Sequence, residues 1–115
     1  MLAVFTGKGR QASLITLEEL SIINYFDLIV TGDDVANHKP SSEGIMNFVN
    51  EYNLNKEEVL MIGDSVADVR ASKEAGIRIA SALWDSYAAK KIKNLGSDYY
   101  FNTVAELREF LVKST

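Results

Sequence analysis

The sequence predicts an α/β fold, with an open, doubly wound and mostly parallel sheet that carries helices on both faces. Short apolar runs alternate with amphipathic stretches along the chain, which is the pattern of repeated β–α–β units. Turn-forming, glycine-containing segments stop several of the apolar runs. The 115 residues amount to one domain, and 47% of them are hydrophobic, which is typical of a globular domain with a buried core.

The strands and helices follow from the same pattern. Strands are predicted, in order, at residues 2–5, 26–31, 59–62, 77–83 and 98–101. The amphipathic segments between them predict helices, because their apolar residues recur about once per helical turn. Thr103 and Glu106 have the spacing of a capping box for a last helix. The apolar residues that this helix is expected to bury are Val104, Leu107 and Leu111.

Two carboxylates follow the third predicted strand, in the turn at residues 63–68. In a doubly wound sheet ligands bind where strands end and helices begin, so this turn and those at residues 6–10 and 31–40 are of interest. Asp64 directly follows the strand, and Asp68 lies in the first turn of the next helix. Two such carboxylates can share one Mg²⁺ ion, which prefers oxygen ligands. They can equally serve as a helix cap and as a charge at the positive end of the helix dipole.

The other two turns carry a hydroxyl, glycines and a lysine. Thr6 and Gly7 offer a hydroxyl and free backbone N–H groups that can bind an anion, although a plain strand-to-helix turn has the same composition. Pro40 restricts the backbone of Lys39 and so fixes where the lysine points. Lys39 could neutralise phosphate charge or be a solvated surface side chain. His38, the single histidine, is expected to be a surface loop residue.

The order of these motifs resembles that of the haloacid dehalogenase superfamily, and of its phosphoglycolate-phosphatase-like branch in particular. The order is a strand followed by Thr6-Gly7, then Lys39-Pro40, then an apolar strand ending in Gly-Asp-Ser-x-x-Asp at residues 63–68. Further matching segments are residues 25–27, 30–35 and 75–77. The resemblance covers nearly the whole chain. It implies a Rossmann-like α/β core and Mg²⁺-dependent hydrolysis of phosphate monoesters through an aspartyl-phosphate intermediate.

The resemblance implies a role for each matching residue. Thr6 and Gly7 would bind the transferring phosphoryl group, and Lys39 would balance the charge of the phosphate and the nucleophile. Asp64 would bind Mg²⁺, and Asp68 would support the coordination of the metal directly or through water. The substrate would be a small phosphorylated metabolite.

The sequence departs from the family pattern because it contains no Asp-x-Asp-x-Thr motif, which supplies the nucleophile. The strand that carries this motif is normally central, between the strands ending at Thr6 and Gly63, and no cap domain fits between Thr6 and Lys39. We therefore expect residues 1–115 to form a single partial core domain in which two inner strand edges lack partners. A missing N-terminal segment or a second chain would complete the sheet. The chain alone is expected to be inactive.

Composition narrows the classes of partner. The net charge is −4, from 12 basic and 16 acidic residues, so a nucleic-acid-binding surface is not expected. The chain has no cysteine, which excludes disulfides and thiol catalysis. No apolar run approaches the roughly 18 residues of a membrane span, and no N-terminal segment resembles a signal peptide. A cytoplasmic protein without a membrane partner is the expectation.

Two other functions are open to the same residues. Gly63-Asp64-Ser65 resembles the serine block of Gly-Asp-Ser esterases, but such a serine needs a histidine that usually lies near the C-terminus, whereas His38 lies upstream. A non-catalytic module that binds phosphate and Mg²⁺, or a receiver-like regulatory module, is the more serious alternative. Trp84 and Tyr87 follow a predicted strand and could border the site or pack in the core or at its rim.

Overall fold

The computed structural model describes residues 1–84 and 86–113. The strands are β1 (Ala3–Phe5), β2 (Leu28–Val30), β3 (Leu60–Gly63), β4 (Arg78–Ala82) and β5 (Tyr99–Phe101). The α-helices are α1 (Arg10–Glu19), α2 (Glu43–Glu51), α3 (Val66–Ala75), α4 (Ala89–Leu95) and α5 (Val104–Lys113). Short 3₁₀ turns occur at Ile23–Tyr25, Gly32–Asp34 and Lys56–Glu58. Each predicted strand is present, and most are shorter than predicted because their end residues belong to the turns.

The strands form two parallel groups instead of one continuous sheet. β1 pairs with β2, with Val4 opposite Ile29. β3, β4 and β5 pair in that order, with Ile62 opposite Ala80. Within the described residues β1 pairs only with β2, and β3 pairs with β4 alone, so one edge of each faces the other without a strand between them. The parallel α/β fold is confirmed, and the gap lies where the sequence predicted a missing central strand.

Helix α3 lies between two buried clusters and holds the larger group of strands to the helices. Its Ala71 and Ala75 belong to the cluster with α2, whose other buried members are Ile45, Val49 and Ile77. Its Val69 belongs to the cluster on the other side, with Ile79, Leu83 and Ile92. The small alanine side chains let α3 approach the neighbouring elements closely, and so the turn that begins α3 is held firmly at the end of β3.

Helix α5 buries less of its apolar face than predicted, since none of its residues is fully buried and Leu107 is only partly buried. Val104 is 60% exposed and Leu111 is 39% exposed, so the prediction that both are buried is wrong. The contact with β5 is made instead by Phe110, whose ring centroid lies 4.7 Å from that of Tyr99 and 5.2 Å from that of Phe101. An aromatic side chain contributes more contact area than a valine or a leucine, and it therefore determines which side of the helix faces the strand.

The start of α5 has the Thr103 half of the predicted capping box, while the Glu106 carboxylate bonds one residue further back than predicted. The hydroxyl of Thr103 accepts a hydrogen bond from the N–H of Glu106 at 3.1 Å, and the Glu106 carboxylate accepts one from the N–H of Asn102 at 2.9 Å.

Across the described part of the chain, no helix combines the length and the apolar character needed to cross a membrane.

Candidate active site at the carboxyl ends of β1 and β3

A cleft of about 400 Å³ opens where β1 and β3 face each other. Its lining comes from the ends of both strands, from the loop before α2 and from the segment after β4: Phe5, Thr6, Lys39, Met61, Ile62, Gly63, Asp64, Asp68, Ala82 and Trp84. Five residues were given a role in the site from the sequence. Four of them, Thr6, Lys39, Asp64 and Asp68, line this one cleft, and the fifth, Gly7, adjoins Thr6. The size is that of a small-molecule site.

The turn after β1 presents Thr6 to this cleft. The backbone N–H of Thr6 is bonded to Val30 of β2 at 3.0 Å, which fixes the backbone of Thr6. Its hydroxyl accepts a hydrogen bond from the N–H of Lys8 at 3.2 Å, which closes the turn. Among the described residues, nothing accepts a hydrogen bond from the N–H of Gly7. A hydroxyl and a free N–H next to each other can bind an oxyanion.

A second turn, Gly32–Asp34, holds the first one in place. The N–H of Gly32 donates to the carbonyl of Lys8 at 2.8 Å, and a side chain at Gly32 would collide with the backbone of Gly7. Asp33 accepts a hydrogen bond from the N–H of Arg10 at 2.6 Å, and so it caps the start of α1. The sequence did not indicate this packing of one turn on the other, apart from the glycines in both turns.

Asp34 fixes the shape of the second turn. Its carboxylate accepts hydrogen bonds from the N–H of Thr31 at 2.7 Å and from the Thr31 hydroxyl at 2.8 Å, and it pairs with Arg10 at 3.0 Å. The Thr31 N–H above all, then the Thr31 hydroxyl and the Arg10 guanidinium, lower the pKa of Asp34 below its ordinary value of 3.8. Asp33 and Asp34 are thus engaged in turn structure.

Lys39 links the two strand groups across the cleft. Its ammonium nitrogen Nζ donates to Oδ1 of Asp68 at 2.6 Å and to the carbonyl of Phe5 at 3.4 Å. It also lies 4.8 Å from the centroid of the Phe5 ring. The side chains of Lys39 and Asp68 are only 17% and 6% exposed, so the lysine is not the solvated surface residue that the sequence allowed. The Lys39–Pro40 peptide bond is cis.

The two acids of the turn at residues 63–68 have different surroundings. Oδ2 of Asp68 accepts from the N–H groups of Asp64 and Ser65 at 3.1 and 3.2 Å, and the Ser65 hydroxyl accepts from the N–H of Asp68 at 3.1 Å, which forms a capping box. The Asp68 carboxylate packs against Gly63 and leaves no space there for a side chain. In contrast, the carboxylate of Asp64 is exposed and has no hydrogen-bond or ion-pair partner within residues 1–84 and 86–113.

The donor set of the chain fits part of a metal site. The exposed Asp64 carboxylate can offer an oxygen to Mg²⁺, whereas both oxygens of Asp68 already have partners. The described residues include no group of three histidine or acidic side chains placed to hold a metal ion. The assignment of Asp64 and Asp68 as metal-binding residues stays a prediction.

Ser65 and His38, the two residues that an esterase would use, both form hydrogen bonds to the backbone of neighbouring turns. Ser65 is the cap of α3, with its hydroxyl bonded to the N–H of Asp68. Nε2 of His38 is 2.7 Å from the carbonyl of Gly32, in the loop beyond the second turn. A serine nucleophile requires a histidine hydrogen-bonded to its hydroxyl, and no such pair exists in the part of the chain that the structure describes.

The segment after β4 also contacts the acidic turn, which the sequence did not indicate. The hydroxyl of Ser86 donates to the backbone carbonyl of Asp64 at 2.9 Å. Trp84 lines the cleft, while Tyr87 projects into solvent with its side chain fully exposed. Of the two aromatic residues considered as neighbours of the site, only Trp84 borders it.

Comparisons with known proteins agree with this architecture. The chain is 28% identical over 106 residues to the phosphoglycolate phosphatase of Nitrosococcus oceani, a match that covers 92% of this chain and 47% of that protein. It is 29% identical over 110 residues to the pyrophosphatase PpaX of Halalkalibacterium halodurans, covering 96% of this chain and 51% of that protein. The chain thus spans about half the length of these relatives.

A solved structure shows the same fold. The crystal structure of a predicted phosphoglycolate phosphatase from Haemophilus somnus superposes with a TM-score of 0.87 at 22% identity, over 96% of this chain and 49% of that one. The family model described as haloacid dehalogenase-like hydrolase matches residues 1–82. These residues include β1 to β4 and every residue predicted from the sequence to belong to the site. The chain belongs to the haloacid dehalogenase-like hydrolase family.

Proposed function

We propose that the complete protein is a Mg²⁺-dependent phosphatase that hydrolyses a small phosphorylated metabolite through an aspartyl-phosphate intermediate. The observation that carries this proposal is the meeting of Thr6, Lys39, Asp64 and Asp68 at one cleft, at the carboxyl ends of two parallel strands. The names of the relatives support the reaction class, because they are phosphatases of phosphoglycolate and pyrophosphate. A cytoplasmic location belongs to the same proposal, and the cysteine-free composition is compatible with it.

Each residue of the cleft would act through binding and charge. The Thr6 hydroxyl and the Gly7 N–H would hold the oxygens of the phosphoryl group, and the Lys39 ammonium would compensate their negative charge. Asp64 would provide an oxygen ligand to Mg²⁺, which when bound neutralises charge on the phosphoryl oxygens. Asp68 would keep Lys39 and the turn at residues 63–68 in position. Phosphoryl transfer depends mainly on such positioning and charge stabilisation.

The 115 residues alone would bind phosphate weakly and would not hydrolyse its esters. The sequence has no Asp-x-Asp-x-Thr motif, and in the described structure Asp27, Asp33 and Asp34 are bonded to backbone N–H groups away from the cleft lining. We propose that the partial core domain is completed by a strand between β1 and β3. This strand would come from an N-terminal segment of a longer protein or from a second chain, and it would bring the nucleophile.

A fusion protein tests this proposal. The part of the Nitrosococcus oceani phosphatase that this chain does not match would be joined to residues 1–115, and Mg²⁺-dependent hydrolysis of a generic phosphate monoester would be measured. We expect the fusion to be active and the chain alone to be inactive. Lys39→Met and Asp64→Asn should each lower kcat of the fusion by about 100-fold or more, the usual effect of removing one charge-stabilising group.

Lys90→Met provides the matched control, since Lys90 is an exposed lysine of α4 away from the cleft. Steady hydrolysis by the 115-residue chain, or full activity of the Lys39→Met fusion, would contradict the proposal.

An inactive, folded fusion that still binds phosphate and Mg²⁺ would favour the non-catalytic binding module. Asp68 is already paired with Lys39, and this pairing is the observation that favours testing the non-catalytic function as well. β1 ends without the acidic pair that a receiver domain needs there.

A further inference from the structure

The wall of the cleft on the β4 side is formed by Trp84. The residue before it, Leu83, is buried in the cluster between α3 and α4, whereas Trp84 belongs to neither buried cluster and is only partly covered. Its side chain lines the same cleft as Lys39 and Asp64. A large aromatic side chain that is left out of the core and lies beside a polar site is available for contact with a ligand.

Two attachments fix this wall in place. The Ser86 hydroxyl donates to the carbonyl of Asp64 at 2.9 Å and accepts from the N–H of Ala88 at 3.3 Å, so it joins the segment after β4 to the acidic turn. On either side of the segment, Leu83 and Ile92 are buried in the same cluster.

The cleft has a polar and an apolar part. Thr6, Lys39 and Asp64 supply a hydroxyl, an ammonium group and a carboxylate. The apolar part comes from Ala82 and Trp84, at and after the end of β4, and from the lining residues Phe5, Met61 and Ile62 of β1 and β3. A phosphate monoester has the matching division, since its phosphate is charged while its organic group can be apolar.

We propose that Trp84 is a specificity-determining residue that packs against a planar organic group of the phosphate ester, and that Ser86 is a positioning residue for Trp84. This inference rests on the proposed function, because it takes the phosphate to be held by Thr6 and Lys39. It names the substrate class as phosphate monoesters with a planar or aromatic group next to the phosphate, as opposed to small aliphatic esters.

Binding to the 115-residue chain tests the inference without any need for catalysis. Dissociation constants for inorganic phosphate, methyl phosphate and phenyl phosphate would be measured by calorimetry or by ³¹P NMR titration. An aromatic contact is worth about 0.5–1.5 kcal/mol, so phenyl phosphate should bind roughly two- to tenfold more tightly than methyl phosphate. Trp84→Leu should remove this preference while it leaves the affinity for methyl phosphate within about twofold.

Two further variants separate contact from general structural damage. Ser86→Ala should reduce the preference for phenyl phosphate, and Ser86→Thr, which keeps the hydroxyl, should restore it. Tyr87→Leu is the matched control, because the Tyr87 side chain is fully exposed and lies outside the cleft lining, and it should keep the full preference. All variants would first be checked for the native circular dichroism spectrum.

The outcomes distinguish this inference from the proposed function. If phosphate and methyl phosphate bind but phenyl phosphate binds no more tightly than methyl phosphate, the role of Trp84 is overturned and the phosphate site stands. The same holds if Trp84→Leu keeps the preference for phenyl phosphate. If none of the three ligands binds, the phosphate-binding half-site itself is overturned, and the inference falls with it.

Discussion

Asp64 and Asp68 are four positions apart, and the difference between their surroundings leads to opposite predictions for stability. Asp68→Asn should destabilise the chain by about 3 kcal/mol, since removal of one partner from a buried pair leaves the other charge uncompensated. This figure lies at the low end of the usual range, because the Lys39 side chain is 17% exposed. Asp64→Asn should change the free energy of unfolding by less than about 0.5 kcal/mol, as expected for an exposed residue without a partner.

Urea unfolding of the two variants measures this difference directly. Equal decreases in the free energy of unfolding for both variants would mean that the Lys39–Asp68 pair does not stabilise the fold. The sequence alone could not have separated the two acids, because a Gly-Asp-Ser-x-x-Asp turn is compatible with metal ligation and with helix capping alike. The distinction depends on Lys39, which lies 29 positions upstream of Asp68 and reaches it only in the folded chain.

Asp34 gives a prediction for the pH dependence of stability. Its pKa in the folded state lies below the ordinary value of 3.8, chiefly because of the Thr31 N–H. The stabilisation is therefore fully present above about pH 4 and is lost as the pH falls through the lowered pKa. Asp34→Asn should be less stable than the parent at neutral pH and should lose less stability on acidification. Urea unfolding from about pH 6 to about pH 2 tests this, with Glu109→Gln, an exposed residue of α5, as the control.

At the level of elements, Arg10 protects the outer edge of β2. Its guanidinium donates to the carbonyl of Ile29 at 3.3 Å, a carbonyl that points away from β1. Charged side chains placed on edge strands prevent pairing with other chains. Arg10→Met should therefore increase self-association, measured by sedimentation velocity, whereas Arg70→Met on the exposed side of α3 should not. An unchanged monomer fraction in Arg10→Met would show that other features block this edge.

The contact between the two glycine-containing turns gives a second prediction at this level. Gly32→Ala should lower the free energy of unfolding by roughly 1–3 kcal/mol, because the added methyl group meets the backbone of Gly7. Gly7→Ala is the comparison, since a methyl group there meets no atom within 4 Å. Thermal unfolding of both variants tests the prediction, and a loss for Gly7→Ala as large as that for Gly32→Ala would contradict it.

The sequence predicted the elements better than it predicted the faces they bury. The alternation of apolar runs and amphipathic segments was sufficient to predict all five strands, because each strand also ends at a recognisable turn. The predicted burial in α5 was wrong for Val104 and Leu111, which have helical spacing but are exposed, whereas Phe110 makes the aromatic contact with β5. Periodicity describes one chain segment, whereas the buried face depends on the partner element.

For the whole molecule, the separation into two strand groups predicts uneven protection from hydrogen exchange. β4 has neighbours on both sides and four buried residues, while β1 and β2 form a pair in which every residue is only partly buried. Amides of β1 and β2 should therefore exchange through local opening and well before those of β4. Mass-spectrometric or NMR hydrogen exchange measures this, and equal protection of both groups would show that the cleft does not divide the fold.

Trp84 has a consequence for the study of this protein that is separate from substrate choice. It is the single tryptophan of the chain, and its indole borders the cleft between the two strand groups. Tryptophan emission therefore comes from one known place, and it should respond when a strand, an anion or a metal ion enters the cleft. The unmodified chain carries its own optical reporter, with which assembly of the complete active site can be followed in real time without a label.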